Sequence, residues 1–238
     1  MSKAESIDSI NRDTIKNSVI SRLRDAIVRG AFQPGERLRH ESLARRFDVS
    51  TMPVREALAA LEIEGVVTNV PNCGASVTRY RADELREIYE IRANLEKTAT
   101  LKAAPRLISE DFATLTRICT AMDKSFSDAA RFTELNGEFH TAIYAQSRQH
   151  HLCQLIESLR ARTRHYLCHL TASPERFAAA QSEHRKMVAM LESGRAEEAA
   201  NFIFHHVYRV GETIARLLES SPVAEAGLEP AAIGGQRK

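Results

Sequence analysis

Residues 38–65, LRHESLARRFDVSTMPVREALAALEIEG, constrain this chain more than any other stretch. Leu43, Ala44 and Phe47 mark one apolar face of a first short helix, and Val49 plugs the turn after it. Val54, Ala57, Leu58 and Leu61 then recur at i, i+3, i+4 and i+7, the stripe of a second helix. Pro53 lacks an N–H and has φ already set, so it fits only a first helical turn. It also drives Met52 towards extended backbone, which predicts a second helix beginning at about Pro53. Ser50, Thr51, Arg55 and Glu56 are left facing outward at that helix start. Hydroxyls, a guanidinium and unpaired N–H groups at such a place suit phosphates and base edges. The layout is that of a helix-turn-helix.

The rest of the chain must be built around that reader. At 238 residues it is long enough for a small domain and a larger one. With 43% hydrophobic and 27% charged residues it reads as a water-soluble globule. No run reaches the length of a membrane span, and the first residues lack an apolar signal core, so a cytoplasmic protein is expected. Cys73, Cys119, Cys153 and Cys168 form no CxxC pair and read as reduced thiols. Net charge is only +2, so any case for nucleic acid rests on where the arginines stand.

In chain order, residues 1–13 read as a flexible arm. A helix over 14–29 carries Ile15, Val19, Ile20, Leu23 and Ile27 on one side, Gly30 closes it, and Pro34-Gly35 turns the chain. After the helix-turn-helix, VVTNVPNCGASVTRY predicts a hairpin, the wing of a winged helix. Its tip, with Asn72 and Gly74, is placed to reach a minor groove or a phosphate, although Gly74 also serves the turn alone. From 82 to 220 the apolar spacing is helical throughout, with six helices predicted over 82–103, 109–128, 131–146, 150–171, 174–193 and 195–219. The expected fold is therefore mainly α. A winged helix-turn-helix over 14–79 is followed by an antiparallel six-helix bundle over 82–220, and a tail from 221 to 238 is too poor in large apolar residues to fold.

Helical phase singles out three histidines. His140 flanks the stripe set by Leu135, Phe139 and Ala142, with Asn136 one turn before it. His184 aligns with Met187, Val188 and Leu191. His206 aligns with Ala199, Phe202, Ile203 and Val210, whereas His205 points to the solvent side with Glu198, Arg209 and Glu212. Three helices thus each turn an imidazole inward. If the rings meet they suit a divalent transition metal such as Zn²⁺, Ni²⁺ or Mn²⁺; if they do not, each is a satisfied core histidine. Arg92 lies on the inward stripe of Leu85, Ile88, Leu95 and Ala99, and a buried guanidinium needs a partner. That partner is either Glu96 at i+4 or the carboxylate of a ligand. His165 and His169 read as surface or rim residues.

The order Leu-x-x-x-x-Leu-Ala, Val-Ser, Pro-Val-Arg-Glu-Ala-Leu, Leu and Glu-Gly, preceded by Leu23, Ile27, Gly30, Pro34-Gly35 and Leu38, resembles the winged-helix domain of GntR-type bacterial transcription regulators. The bundle motifs, Asn-x-x-Phe-His, Glu-His-Arg and a histidine twenty-two residues later, resemble the FCD effector domain of the FadR-type subfamily. The resemblance implies a homodimeric, ligand-responsive regulator, a repressor by analogy, that binds double-stranded operator DNA and a small carboxylate effector. It places DNA contacts at Arg45, Arg46, Ser50, Thr51, Arg55 and the wing tip, and a metal on Asn136, His140, His184 and His206. Arg92 would meet the effector. Two departures stand out. Thr51 replaces an arginine that reads guanine in relatives, a change worth roughly 1–3 kcal/mol of base preference. Asn136 replaces an acid, so one ligand position is neutral. The rival reading is a metal-dependent enzyme with an accessory winged helix, but no general base lies in phase with the histidines.

Overall fold

A computed structural model describes residues 10–70, 74–170 and 173–220. The wing-tip residues Asn72 and Cys73, and the tail over 221–238, lie outside the described residues. Helix α1 spans Ile10–Val28, α2 His40–Phe47 and α3 Thr51–Ile63; strands β1 (Val67–Val70) and β2 (Gly74–Val77) follow. They pair antiparallel with Val67 opposite Val77 and Val70 opposite Gly74. The second part holds α4 (Ala82–Ala103), a short 3-10 turn at Ala104–Arg106, α5 (Ser109–Asp123), α6 (Ala129–Ala145), α7 (His150–Leu170), α8 (Pro174–Glu192) and α9 (Ala196–Glu219).

Three boundaries differ from expectation. The first helix begins at Ile10, inside the stretch read as an arm. The recognition helix begins at Thr51 with extended Ser50 before it. Pro53 still sits in the first turn, where its missing N–H costs nothing, but two residues deeper than expected. Helix α5 stops at Asp123, and Asp128 caps α6 by accepting the backbone N–H of Arg131 at 3.0 Å. A side chain that can cap competes with helix continuation, and periodicity does not register it.

Two hydrophobic cores form. One gathers Leu23, Ile27, Val54, Leu58, Leu61 and Val77 under the reader. The other gathers Leu85, Tyr89, Leu115, Phe132, Phe139 and Ile203 inside the bundle. In the bundle, α9 lies close along α4 because Gly211 has no Cβ. A Cβ built there would stand 2.3 Å from Tyr89 Cβ and 2.5 Å from its Cγ.

Helix α7 touches both parts. The backbone N–H of Tyr80 donates to the Tyr166 hydroxyl at 3.0 Å. Gly65, at φ +75°, leaves space taken by Arg162, whose Cγ and Nε would be 3.0 Å from any Cβ. His165 is buried here, not at the surface as expected, and its ring lies 4.2 Å from that of Tyr166. Its face of α7 became interior only because the reader packs on it, which periodicity within one helix does not reveal. The side chain of His169 lies outside the described residues.

Candidate metal centre

His140 comes from the middle of α6, His184 from α8 and His206 from α9, all three buried. Their ring centroids form a near-equilateral triangle with sides of 5.5, 5.6 and 5.4 Å. One ring nitrogen of each lies within 4.8 Å of the others. The core holds the rings in place: Phe139 stands edge-on to His140 at 5.4 Å and tilts over His184 at 4.7 Å.

The second layer decides which nitrogen faces inward. The Tyr144 hydroxyl spends its proton on Glu96 at 2.6 Å, so it accepts from His140 Nδ1 at 3.0 Å. Gln181 donates its amide N–H groups to Asp123 and the Cys119 carbonyl, and its oxygen faces His184 Nδ1 at 3.4 Å. Glu183 accepts from His206 Nδ1 and, through its other oxygen, from Arg209 at 2.7 Å. Each imidazole thereby turns its Nδ1 to an outer partner, which leaves its Nε2 for the centre. Burial, and then the Arg160 guanidinium, push His140 well below the usual imidazole range; burial and His206 do the same to His184. Neutral imidazole is the form that binds metals. His184 Nε2 is fully buried with no hydrogen-bond partner among the described residues. An orphaned nitrogen of that kind costs about 1–3 kcal/mol unless something binds it. Oriented lone pairs, outer hydrogen bonds and one orphan are what a metal site requires. The residues present fit a metal ion.

Beside the triad lies a cavity of about 240 Å³, walled by Tyr89, Phe132, Leu167, Val207 and Val210 and by the polar groups of Arg92, Asn136, Arg176 and Arg209. Asn136, expected as a metal ligand, and Arg92, expected as an effector contact, both line this cavity together with His140 and His206. Arg92 realises the Glu96 alternative. Its Nε and one terminal nitrogen donate to Glu96 at 3.1 and 2.9 Å, the other donates to Thr163 at 3.2 Å, and the guanidinium covers the Tyr89 ring at 4.6 Å. Five N–H groups less three bonds leave two for a ligand. Sequence reasoning missed Tyr144, Gln181 and Glu183. Tyr144 follows His140 by one turn and Gln181 precedes His184 by three residues, so both signals were in the spacing. Glu183 is out of phase with His184 on its own helix and serves His206 on the neighbouring one. Glu183→Gln should weaken metal binding by about 10–100-fold, read by competition with a chelator, with little change in melting temperature.

In the reader, Arg45, Arg46, Ser50, Thr51, Arg55 and Gly74 are all exposed. Arg46 lies over the Phe32 ring at 4.9 Å. Arg45 and Arg55 make no ion pair among the described residues. Gly74, at φ +79°, starts β2 with open space around it. Asn72 is outside the described residues.

Comparison with known proteins decides the family. The pattern described as the FCD domain matches residues 87–209, more than half of the chain, and that described as "Bacterial regulatory proteins, gntR family" matches residues 15–77. The chain belongs to the gntR family of bacterial regulatory proteins and carries an FCD domain. It is 28% identical to the Nta operon transcriptional regulator of Aminobacter aminovorans, over 80% of this chain and 90% of that one. It is 33% identical to the transcriptional repressor GlaR of Escherichia coli, over 58% and 65%. Among solved structures, E. coli McbR/YncC superposes with a TM-score of 0.74 at 25% identity, covering 87% of this chain and 99% of that one. This gntR-family member is a DNA-binding transcription regulator; its family and these relatives are regulators, not enzymes. Among the described residues no helix is long and apolar enough to cross a membrane.

Proposed function

We propose that the chain is a homodimeric repressor that releases a palindromic operator when a small carboxylic acid binds beside a divalent transition metal. Zn²⁺, Ni²⁺ and Mn²⁺ all accept imidazole nitrogen. His140, His184 and His206 would hold the ion, with Asn136 beside them, and the ion would supply Lewis acidity to draw in the acid's carboxylate. The observation that carries this reading is the convergence of three buried, outward-bonded imidazoles at the edge of a cavity. Arg92 adds two unspent N–H groups on the cavity wall. The DNA side rests on exposed Arg45 and Arg46 of α2, on Ser50, Thr51 and Arg55 at the start of α3, and on Gly74 of the wing, with Asn72 added from the sequence alone.

An acid can move the reader only by binding two arrangements unequally. Helix α7 supports a route for that bias. Its Thr163 is bonded to Arg92 at the cavity, and its Tyr166 and Arg162 hold Tyr80 and pack on Gly65. DNA binding is tested by fluorescence anisotropy on DNA flanking the chain's own gene. Arg55→Glu is expected to weaken binding by about 5–150-fold, the equivalent of roughly 1–3 kcal/mol, and to flatten the salt dependence. Unchanged affinity would mean that the recognition helix is not the reading element.

A further inference from the structure

A larger hollow lies outside the bundle core, where the reader meets helix α7. It is a cleft of about 590 Å³, against about 240 Å³ for the cavity beside the histidines. The reader supplies one wall, with Arg24 and Ile27 of α1 and, at and after the end of α3, Glu64 and Val66. Helix α7 supplies the other, with Glu157 and Arg164. Ile63, the last residue of α3, forms an apolar lip and is 85% exposed. The cleft therefore joins an apolar floor and lip to charged groups from two bodies of the protein.

Those charges pair within each body and not across the cleft. Arg24 donates to Glu64 through Nε at 3.3 Å and through one terminal nitrogen at 2.8 and 2.9 Å. Arg164 donates to Glu157, two turns back on α7, at 2.8 Å. Across the cleft the two guanidinium groups repel. Burial holds Arg164 below the usual guanidinium range, and Arg160 and Arg24 push it the same way while Glu157 opposes them. Arg162, packed on Gly65 beside Glu64, adds another cation, and its Nε is buried with no hydrogen-bond partner among the described residues. A guanidinium has five N–H groups, so the bonds above leave two on Arg24 and four on Arg164. An anion between the walls takes donors from both bodies and offsets the repulsion.

We propose that this cleft is a second ligand site, built half by the reader and half by the bundle, for an amphipathic organic anion whose charged end sits between Arg24 and Arg164 and whose apolar body lies along Ile27, Ile63 and Val66. The site does not depend on the metal. Its position has a regulatory consequence. An anion held by both bodies binds more weakly to any arrangement that parts them, so it biases where the reader stands. Helix α7 links the two sites: Thr163 is bonded to Arg92 on the bundle side, and Arg164, next in the chain, lines the cleft.

The test is a fluorescence titration of the full chain with 1-anilinonaphthalene-8-sulfonate. N-phenyl-1-naphthylamine, the same rings without the sulfonate, is the uncharged control. The wild type should bind the sulfonate saturably and the amine at least about 10-fold more weakly, the worth of one charge-assisted hydrogen bond. Arg164→Gln should weaken sulfonate binding by about 10–150-fold on the same basis. Glu64→Gln releases Arg24 and should tighten it severalfold. Arg24→Gln/Glu64→Gln removes both partners, strands no charge and should weaken it as Arg164→Gln does. A purely structural role for the two ion pairs gives a different order, with no variant binding more tightly than the wild type. Thermal melts confirm that each variant is folded. The proposal is overturned if both probes bind alike, if Glu64→Gln fails to tighten binding, or if the arginine of only one wall matters.

Discussion

Replacing His140 and His206 together by alanine is expected to abolish retention of a divalent metal through gel filtration. The double variant leaves one imidazole of three, and a lone buried histidine is no chelate. Losing one outer hydrogen-bonding partner of a metal ligand costs about 10–100-fold, and losing two direct ligands exceeds that. The helices should survive the change. The His140 ring packs against Phe139 and Tyr144, and the His206 ring against His140 and His184, so the variant opens a cavity but buries no new polar group. His205→Ala is the matched control. Its ring is exposed on the opposite side of α9, and the variant should retain metal like the wild type. Elemental analysis of the purified chains reads the result. One ion per chain in the double variant would sink the assignment of the centre.

Gly211→Ala carries the second large effect, and two terms of opposite sign compete there. In a helix interior alanine is favoured over glycine by about 0.5–1 kcal/mol. Against that, the new Cβ would stand 2.3 Å from Tyr89 Cβ, in the root of the side chain rather than its free end. Relief requires α9 to move off α4 or Tyr89 to move into the cavity. Overpacking of this kind costs about 1–3 kcal/mol and sometimes more, so the clash wins. At roughly 2–4 °C per kcal/mol for a chain of this size, the melting temperature should fall by several degrees. Tyr89 also floors the cavity and lies under the Arg92 guanidinium, so acid binding should weaken as well. A melting temperature at or above that of the wild type would show that the two helices part without cost.

Much of the fold was legible because its signals are local. The phase of Val54, Ala57, Leu58 and Leu61 predicted which side of the recognition helix is buried, and those residues are the buried ones of α3. The same reasoning separated His205 from His206, neighbours in the chain that end on opposite sides of α9. Boundaries were less legible where a capping side chain, not an apolar stripe, ends a helix. Asp128 is the example. His165 was misplaced because its burial comes from a second body of the protein.

By itself, the order of residues determined the reader, the helical bundle and the inward turn of three imidazoles, because each follows from periods of two or 3.6 residues within a single element. Only the tertiary structure decided that those rings meet, that Glu183 serves a histidine on another helix, and that Glu96 and Glu183 are already spent. Those facts depend on which helices pack together and at what distance. Hydrogen bonds and charges act over a few ångströms of space, and residues 23 or 48 positions apart come within that range only when the bundle closes.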